Sequence, residues 1–441
     1  NGSNCDVKAL LPWVAAAALA AGPLRADDWP LWGGRPDRNM VSSEKGLPAA
    51  WDPAGKKNLK WVADLGTQTF GNPVVGGGRV YIGTNNGRPR DPAVQGDRGV
   101  LLCFSEKDGA FLWQRVHEKL PAGDAEDWNR IGLCSTPCVV EERVYYVSNR
   151  AELVCADARD GALVWSLDFR KELGVTPFQA SASSPLVAGD LVFVLTGQGR
   201  KPIGAAPSFI AVHRTTGKIA WQDGSPGKGI LAGQWASPSY GVVDGRAQVA
   251  YPGGDGGLYA FDPPTGKLLW KFNTTASDES QNHLVATPVY VGPLVLIAVG
   301  QDPEAGAKPG CLWAIDARGG SERWRRGGEE FGCSISTVAV HEGLVYAVEL
   351  AGHLRCLDLE TGRDVWRHDL QSTSWGSPLV ADGKVYVRNG DGEVHVLQAG
   401  REKKILAKNT LPGLGHGSVV AAGGTLYIAG EERLYAVIAG E

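Results

Sequence analysis

Six times along this chain a glycine stands four residues before a tryptophan, in nearly the same phrase each time. The copies read "SEKDGAFLW" (105–113), "DARDGALVW" (157–165), "HRTTGKIAW" (213–221), "DPPTGKLLW" (262–270), "DARGGSERW" (316–324) and "DLETGRDVW" (358–366). The acidic side chain that opens most copies can accept bonds from backbone N–H groups two residues on, and glycine accepts the positive φ of a tight connection. The tryptophan that follows supplies a large flat surface suited to stacking on a neighbouring unit. A chain that repeats one such unit grows by adding copies instead of new cores, so its 441 residues do not imply about three ordinary domains.

Each phrase is preceded by a second element: a small residue, proline, two apolar residues, a turn and a β-rich strand. Examples are "NPVVGGGRVYIG" (72–83), "TPCVVEERVYYV" (136–147), "SPLVAGDLVFVL" (184–195) and "SPLVADGKVYVR" (377–388). Two copies, at 337–348 and 418–429, keep the pattern without the proline. Between the two elements lies a third strand, as in "ELVCAD" (152–157), "GLYAFD" (257–262) and "HLRCLD" (353–358). The unit is four short antiparallel strands with a period of roughly 40–55 residues, which is a propeller blade and not a helical repeat.

The blades cover 72–113, 136–165, 184–221, 237–270, 287–324, 337–366 and 377–406. The eighth, from 418, runs out at Glu441 without a fourth strand. The spare strand is "NLKWVADLG" (58–66) at the other end, with Trp61 and no blade before it. The fold class expected is all-β: an eight-bladed propeller of four antiparallel strands per blade, closed by the N-terminal strand so that no sheet edge stays open. Trp61, Trp113, Trp165, Trp221, Trp270, Trp324 and Trp366 are assigned to blade-to-blade packing. The domain reading is 1–26 a signal-like segment, 27–57 an N-terminal extension and 58–441 the propeller.

The repeat resembles the β-propellers named after pyrroloquinoline quinone (PQQ), whose outer-strand tryptophans form a tryptophan-docking motif. That superfamily includes quinoprotein alcohol dehydrogenases and the propeller lipoprotein of the outer-membrane barrel assembly machinery. The resemblance is strongest to exported PQQ-like propellers of planctomycete-type bacteria. It runs from Asp28 onward through "DWPLWGG", "GNPVVGGGRVYIGTNNGRPRDP", "SPGKGILAGQWASPSYGVVDG" and "TSWGSPLVADGKVY". It implies a quinoprotein dehydrogenase-like fold, and it raises the question of a cofactor. Quinoprotein enzymes stack PQQ on a tryptophan and against a disulfide between adjacent cysteines, with Ca²⁺ held by carboxylates and an amide. Here eight cysteines occur and no two are adjacent. Cys103, Cys155 and Cys356 share one repeat position with Ala211, Ala260, Ala314 and Ala436 and read as small buried residues. Four extended residues separate Cys134 from Cys138, which is ~13 Å and too far for a disulfide without a bend. The expectation is therefore no catalytic residue, no metal and no cofactor, with PQQ and Ca²⁺ the alternative.

A ligand or partner would meet the axial channel. The residues three before the proline position are Phe70, Cys134, Ala182, Trp235, Val285, Ile335, Trp375 and His416. Phe70, Trp235, Trp375 and His416 would give the mouth an aromatic rim, with Gln179, Gln234, Asn282 and His283 as hydrogen-bonding neighbours. The competing reading is that these residues only pack the innermost strands together. Two long loops, 84–99 and 197–208, are further binding candidates.

The start reads as an export signal: Lys8, then "ALLPWVAAAALAAG" (9–22), with cleavage after Ala20 or Ala26. The apolar run is shorter than the about 20 residues a membrane span needs, and no cysteine closes it to take a lipid. The formal net charge of −4, with acids and bases interspersed, offers no basic face for nucleic acid. The sequence thus points to an exported, monomeric binding or scaffolding propeller of the periplasm or cell envelope of a Gram-negative-type bacterium, with envelope proteins as partners. The alternative is an oxidoreductase with a ligand in the axial pocket.

Overall fold

The computed structural model describes residues 28–121, 128–179, 182–199, 206–231, 233–274, 284–300 and 309–440. Eight antiparallel sheets, each built on four consecutive strands of the ring, stand around one axis. Blade 1 runs Val74–Gly76, Arg79–Asn85, Arg98–Ser105 and Phe111–Glu118 from axis to perimeter. Blade 8 consists of Val420–Ala422, Thr425–Ala429 and Arg433–Ile438, and its outer strand is Leu59–Asp64, paired antiparallel with Trp61 opposite Ala436. The N-terminal strand therefore closes the ring, as the missing fourth strand required. The signal-like segment 1–26 lies outside the described residues.

Middle strands are apolar on both faces because each blade is covered by a neighbour on either side. Leu344–Glu349 is buried along its whole length. Outer strands alternate, as in Leu59–Asp64, because one face meets water.

The glycine–tryptophan phrase turns out to join two blades. Gly266 has φ +66°, and a Cβ there would lie 2.5 Å from Cδ2 of Trp221, the tryptophan of the blade before. Gly109 meets Trp61, Gly161 meets Trp113, Gly217 meets Trp165, Gly320 meets Trp270 and Gly362 meets Trp324 in the same way. Glycine is needed twice over: for the turn, and because the indole lies flat on it. Each indole N–H also donates to a carbonyl of that next turn, as from Trp221 to Pro263 (2.8 Å), Trp324 to Leu359 (2.8 Å) and Trp113 to Ala158 (3.2 Å). Trp270 differs. Its N–H donates to Gln248 Oε1 (3.0 Å), and Gln248 Nε2 donates in turn to the Ala317 carbonyl (2.9 Å), so one amide bridges the gap. The cysteines at this shared position, Cys103, Cys155 and Cys356, each lie in register between a tyrosine and the tryptophan, as in Tyr81–Cys103–Trp113. A larger residue would force those rings apart.

Blade 7 has Ala407 in register where its neighbours carry tryptophan. There the following blade has no such turn to dock on, because the two chain segments meet at that seam. Residues 47–52 fill the place. Trp51 is buried, its backbone N–H donates to Asn409 Oδ1 (2.9 Å), and Tyr386 donates to the Pro48 carbonyl (3.0 Å).

The stretch before it does something no repeat pattern signals. Residues 29–44 run round the inside of the propeller and bond to the innermost strand of nearly every blade. Trp29 and Val75 exchange two bonds of 2.9 Å in blade 1, and Val139 donates to Pro30 in blade 2. Tyr240 donates to Pro36, Tyr290 to Asp37 and Val380 to Met40, in blades 4, 5 and 7. Asn39 exchanges two bonds with Val340 in blade 6, and Gly424 of blade 8 donates to Glu44. Blade 3 is reached by a side chain, that of Arg38, which donates to the carbonyls of Ser184 (3.0 Å) and Pro185 (3.2 Å). Inner strand edges, which would otherwise face the channel with unpaired groups, are paired this way.

Candidate functional site

The innermost strand of each blade begins at the proline, so the residues just before it converge on the axis at one end of the channel. All eight residues three before that position line a single cavity of ≈ 230 Å³: Phe70, Cys134, Ala182, Trp235, Val285, Ile335, Trp375 and His416. Gln179 also reaches it, with a left-handed φ of 53°. Three of the rim residues form one aromatic cluster. His416 stacks on Phe70 (5.0 Å, 19°) and contacts Trp375 (4.5 Å), while Phe70 lies 6.1 Å from Trp128. Trp235 stands apart, packed on Phe178 with its N–H on the Phe178 carbonyl (3.3 Å).

Gln234 is the correction. It is buried beside Trp235 but faces away from the cavity, its amide bonded to the carbonyl of Gln198 (2.8 Å), Ser208 Oγ (3.0 Å) and the Gly254 N–H (3.3 Å). Adjacent residues of extended chain point to opposite sides, so both could not reach the mouth. Asn282 and His283 lie outside the described residues.

Below the rim is a ring that the repeat contained in plain sight, read only as "small residue" before proline. Its members are Asn72, Thr136, Ser184, Ser237, Ser377 and Ser418, all lining the cavity. Each side-chain oxygen accepts the backbone N–H of the equivalent residue in the preceding blade. Asn72 donates to Thr136 Oγ1 (3.2 Å), Thr136 to Ser184 Oγ (3.1 Å) and Ser184 to Ser237 Oγ (2.9 Å). Ser377 donates to Ser418 Oγ (2.7 Å) and Ser418 to Asn72 Oδ1 (2.7 Å), so the chain of bonds crosses the closing seam. Trp32, from the N-terminal segment, forms the floor. Neither Trp32 nor Trp128 belongs to a repeat, which is why sequence reasoning missed both.

Two arginines are buried behind this cavity. Arg38 is fully buried and bonds four carbonyls, those of Trp32, Ser184, Pro185 and Pro238. Arg388 is held by the carbonyls of Ala429, Gly413 and Leu414. Burial lowers both guanidinium pKa values to about 10, so both stay charged near neutrality. Burial, followed by the charge of Arg388, lowers His416 to about 4, which keeps its ring neutral. Its Nε2 lies 3.8 Å from Glu431, whose carboxyl is raised by its own burial.

Eight docked blades around an aromatic-walled axial cavity define the PQQ-like β-propellers. Within them the chain belongs to the family described as "Outer membrane protein assembly factor BamB", whose model matches residues 96–307 and 308–439. The outer membrane protein assembly factor BamB of Shewanella oneidensis is 23% identical over 310 residues, covering 69% of this chain and 68% of that protein. A 1-butanol dehydrogenase (cytochrome c) of Thauera butanivorans is 31% identical over 144 residues, only 29% of this chain and 19% of the enzyme. Among solved structures, quinohemoprotein alcohol dehydrogenase ADHIIG from Pseudomonas putida HK5 superposes with a TM-score of 0.70 at 15% identity, over 94% of this chain and 81% of that one. At that identity the likeness speaks to the fold alone.

The cavity residues do not fit PQQ with Ca²⁺. Among the described residues that line it, none is a carboxylate that could hold the ion, or a lysine or arginine that could meet the acid groups of the quinone. Among the described residues no group of three His, Cys, Asp or Glu is placed to hold a metal, and no disulfide joins the cysteines. No helix of the described residues is long and apolar enough to cross a membrane.

Proposed function

We propose that this protein is an exported envelope propeller that binds other proteins through the face carrying the cavity mouth, and that it does no chemistry of its own. The observation that supports this most is the family match, which spans six whole blades and parts of the other two and carries an assembly-factor description. The geometry agrees with it. Strands alternate in direction, so every connection between second and third strands, and every crossing between blades, emerges on the mouth face. Those connections range from 350–352 to 119–137, while on the opposite face the strands of each blade are joined by short turns. Varied loops on a rigid scaffold are the usual carriers of binding.

An oxidoreductase reading draws on the dehydrogenase relatives, but it would need carboxylates in a cavity whose described lining is aromatic, aliphatic and uncharged polar. Genetic replacement tests the proposal: the mature chain is produced with an export signal in cells lacking their own assembly factor BamB, and outer-membrane protein levels are measured. Restored levels are expected. Unchanged levels, together with dye-linked alcohol oxidation by the purified protein in PQQ and Ca²⁺, would overturn the reading.

A further inference from the structure

The hydrogen-bond inventory of the axial cavity is lopsided. Each hydroxyl of Thr136, Ser184, Ser237, Ser377 and Ser418 already accepts a backbone N–H, yet among the described residues its own hydrogen meets no acceptor. A hydroxyl has one hydrogen to give, so these are donors awaiting an acceptor. Among the described residues, the indole N–H groups of Trp32 and Trp375 and the amide of Gln179 likewise meet no acceptor, and all three residues line the same space. Among the described residues of the lining, no carboxylate side chain competes for these donors. Behind the ring, Arg38 bonds the carbonyls of Ser184 and Pro238 and of the floor residue Trp32, and behind the rim Arg388 lies beside His416. Both guanidiniums bond carbonyl oxygens only.

A cavity with donors converging at its base, buried positive charge behind them and aromatic faces above is complementary to a flat ring that carries one anionic oxygen group. We propose that the axial cavity binds a planar aromatic monocarboxylate, without a metal ion. The carboxylate is met by the hydroxyl ring, and the aromatic part lies among Phe70, Trp235 and Trp375. The site is separate from the loop-borne protein binding proposed above, and the two can fail independently.

The test is calorimetric titration of the whole purified protein with 2-naphthoate and, in parallel, with the uncharged 2-naphthamide, both in EDTA. The acid is expected to bind saturably at one site, with the amide about tenfold weaker or worse, since a bond to a charged acceptor is worth roughly twice a neutral one. Because the comparison uses the native chain, it does not depend on a variant folding. Trp375→Ala should weaken the acid about tenfold, and rising salt should weaken the acid but not the amide. Equal affinity for acid and amide, binding that appears only when Ca²⁺ is added, or no heat from either compound would overturn the proposal. So would loss of protein-partner binding in Trp375→Ala when neither compound binds, because the cavity would then be a socket for a partner's side chain.

Discussion

The two faces of this propeller obey different rules. On the turn face the strands of one blade are joined by short turns, and six of the turns between third and fourth strands follow one formula: an acidic or polar residue, a glycine at positive φ, and an indole from the preceding blade lying on that glycine. On the mouth face the blade crossings range from 333–338 to 119–137, and the residues that matter there, such as Trp32, Trp128 and Gln179, belong to no repeat. The difference follows from what each face has to do. Identical blade interfaces need identical joints, so the sequence there is periodic. A single cavity on the axis needs eight different walls, so the same position reads Phe70, Cys134, Ala182, Trp235, Val285, Ile335, Trp375 and His416 in turn.

The contrast can be broken most severely where the ring is sealed. Removing Leu59–Asp64 leaves blade 8 one strand short, and removing residues 29–44 strips the inner strands of their partners. Either deletion is expected to abolish the cooperative unfolding transition in circular dichroism, since net stabilities are only about 5–15 kcal/mol. A shortened chain that melts like the full one would show that the closure is dispensable.

Single tryptophans on the two faces should differ by several kcal/mol. Trp221→Ala removes a docked indole and its bond to Pro263, and should lower stability by about 3–5 kcal/mol in urea unfolding. Trp375→Ala at the half-open mouth should cost about 1 kcal/mol or less. Equal losses would mean that the rim is ordinary core.

A pair of glycines separates docking from turn geometry. Gly266 and Gly343 both have positive φ, but a Cβ at Gly343 meets nothing within 4 Å, while one at Gly266 strikes Trp221. Gly343→Ala should cost about 1–2 kcal/mol and Gly266→Ala about 2–4 kcal/mol, the excess being the displaced indole.

A further difference is a pH dependence at the mouth. His416, facing Arg388 and Glu431, is held to about 4 by burial, against about 6.5 in an unfolded chain. Above pH 6.5 the ring is neutral in both states and contributes nothing. Between 6.5 and 4 the unfolded chain takes the proton first, so stability falls by roughly 2–3 kcal/mol and levels off below pH 4. His416→Asn should show a correspondingly smaller drop in urea midpoint between pH 7.5 and pH 4.5, and an unchanged drop would place the titration elsewhere, for instance at His368, also lowered to about 4.

Legibility followed the same division. The repeated phrases disclosed the blade count, the strand that closes the ring and the tryptophan joints, because periodic contacts need periodic residues. Aligning on the proline located the cavity rim for the same reason. The hydroxyl ring was equally periodic but hidden, since serine or threonine before proline looks like ordinary turn chemistry until the neighbouring blade's N–H is seen. Gln234 was misplaced because one sequence does not say which of two adjacent residues turns inward. The winding of residues 29–44 was illegible altogether: it bonds mostly through backbone atoms, which any sequence carries.

The division of labour between faces is tested most directly by placing a photo-crosslinking residue at Leu414, exposed on a mouth-side loop, or at Glu342, exposed in a turn on the other face, and irradiating cells that export the protein. Adducts with envelope proteins from position 414 and none from position 342 are expected. Adducts from position 342 with none from 414 would contradict a binding face at the cavity mouth.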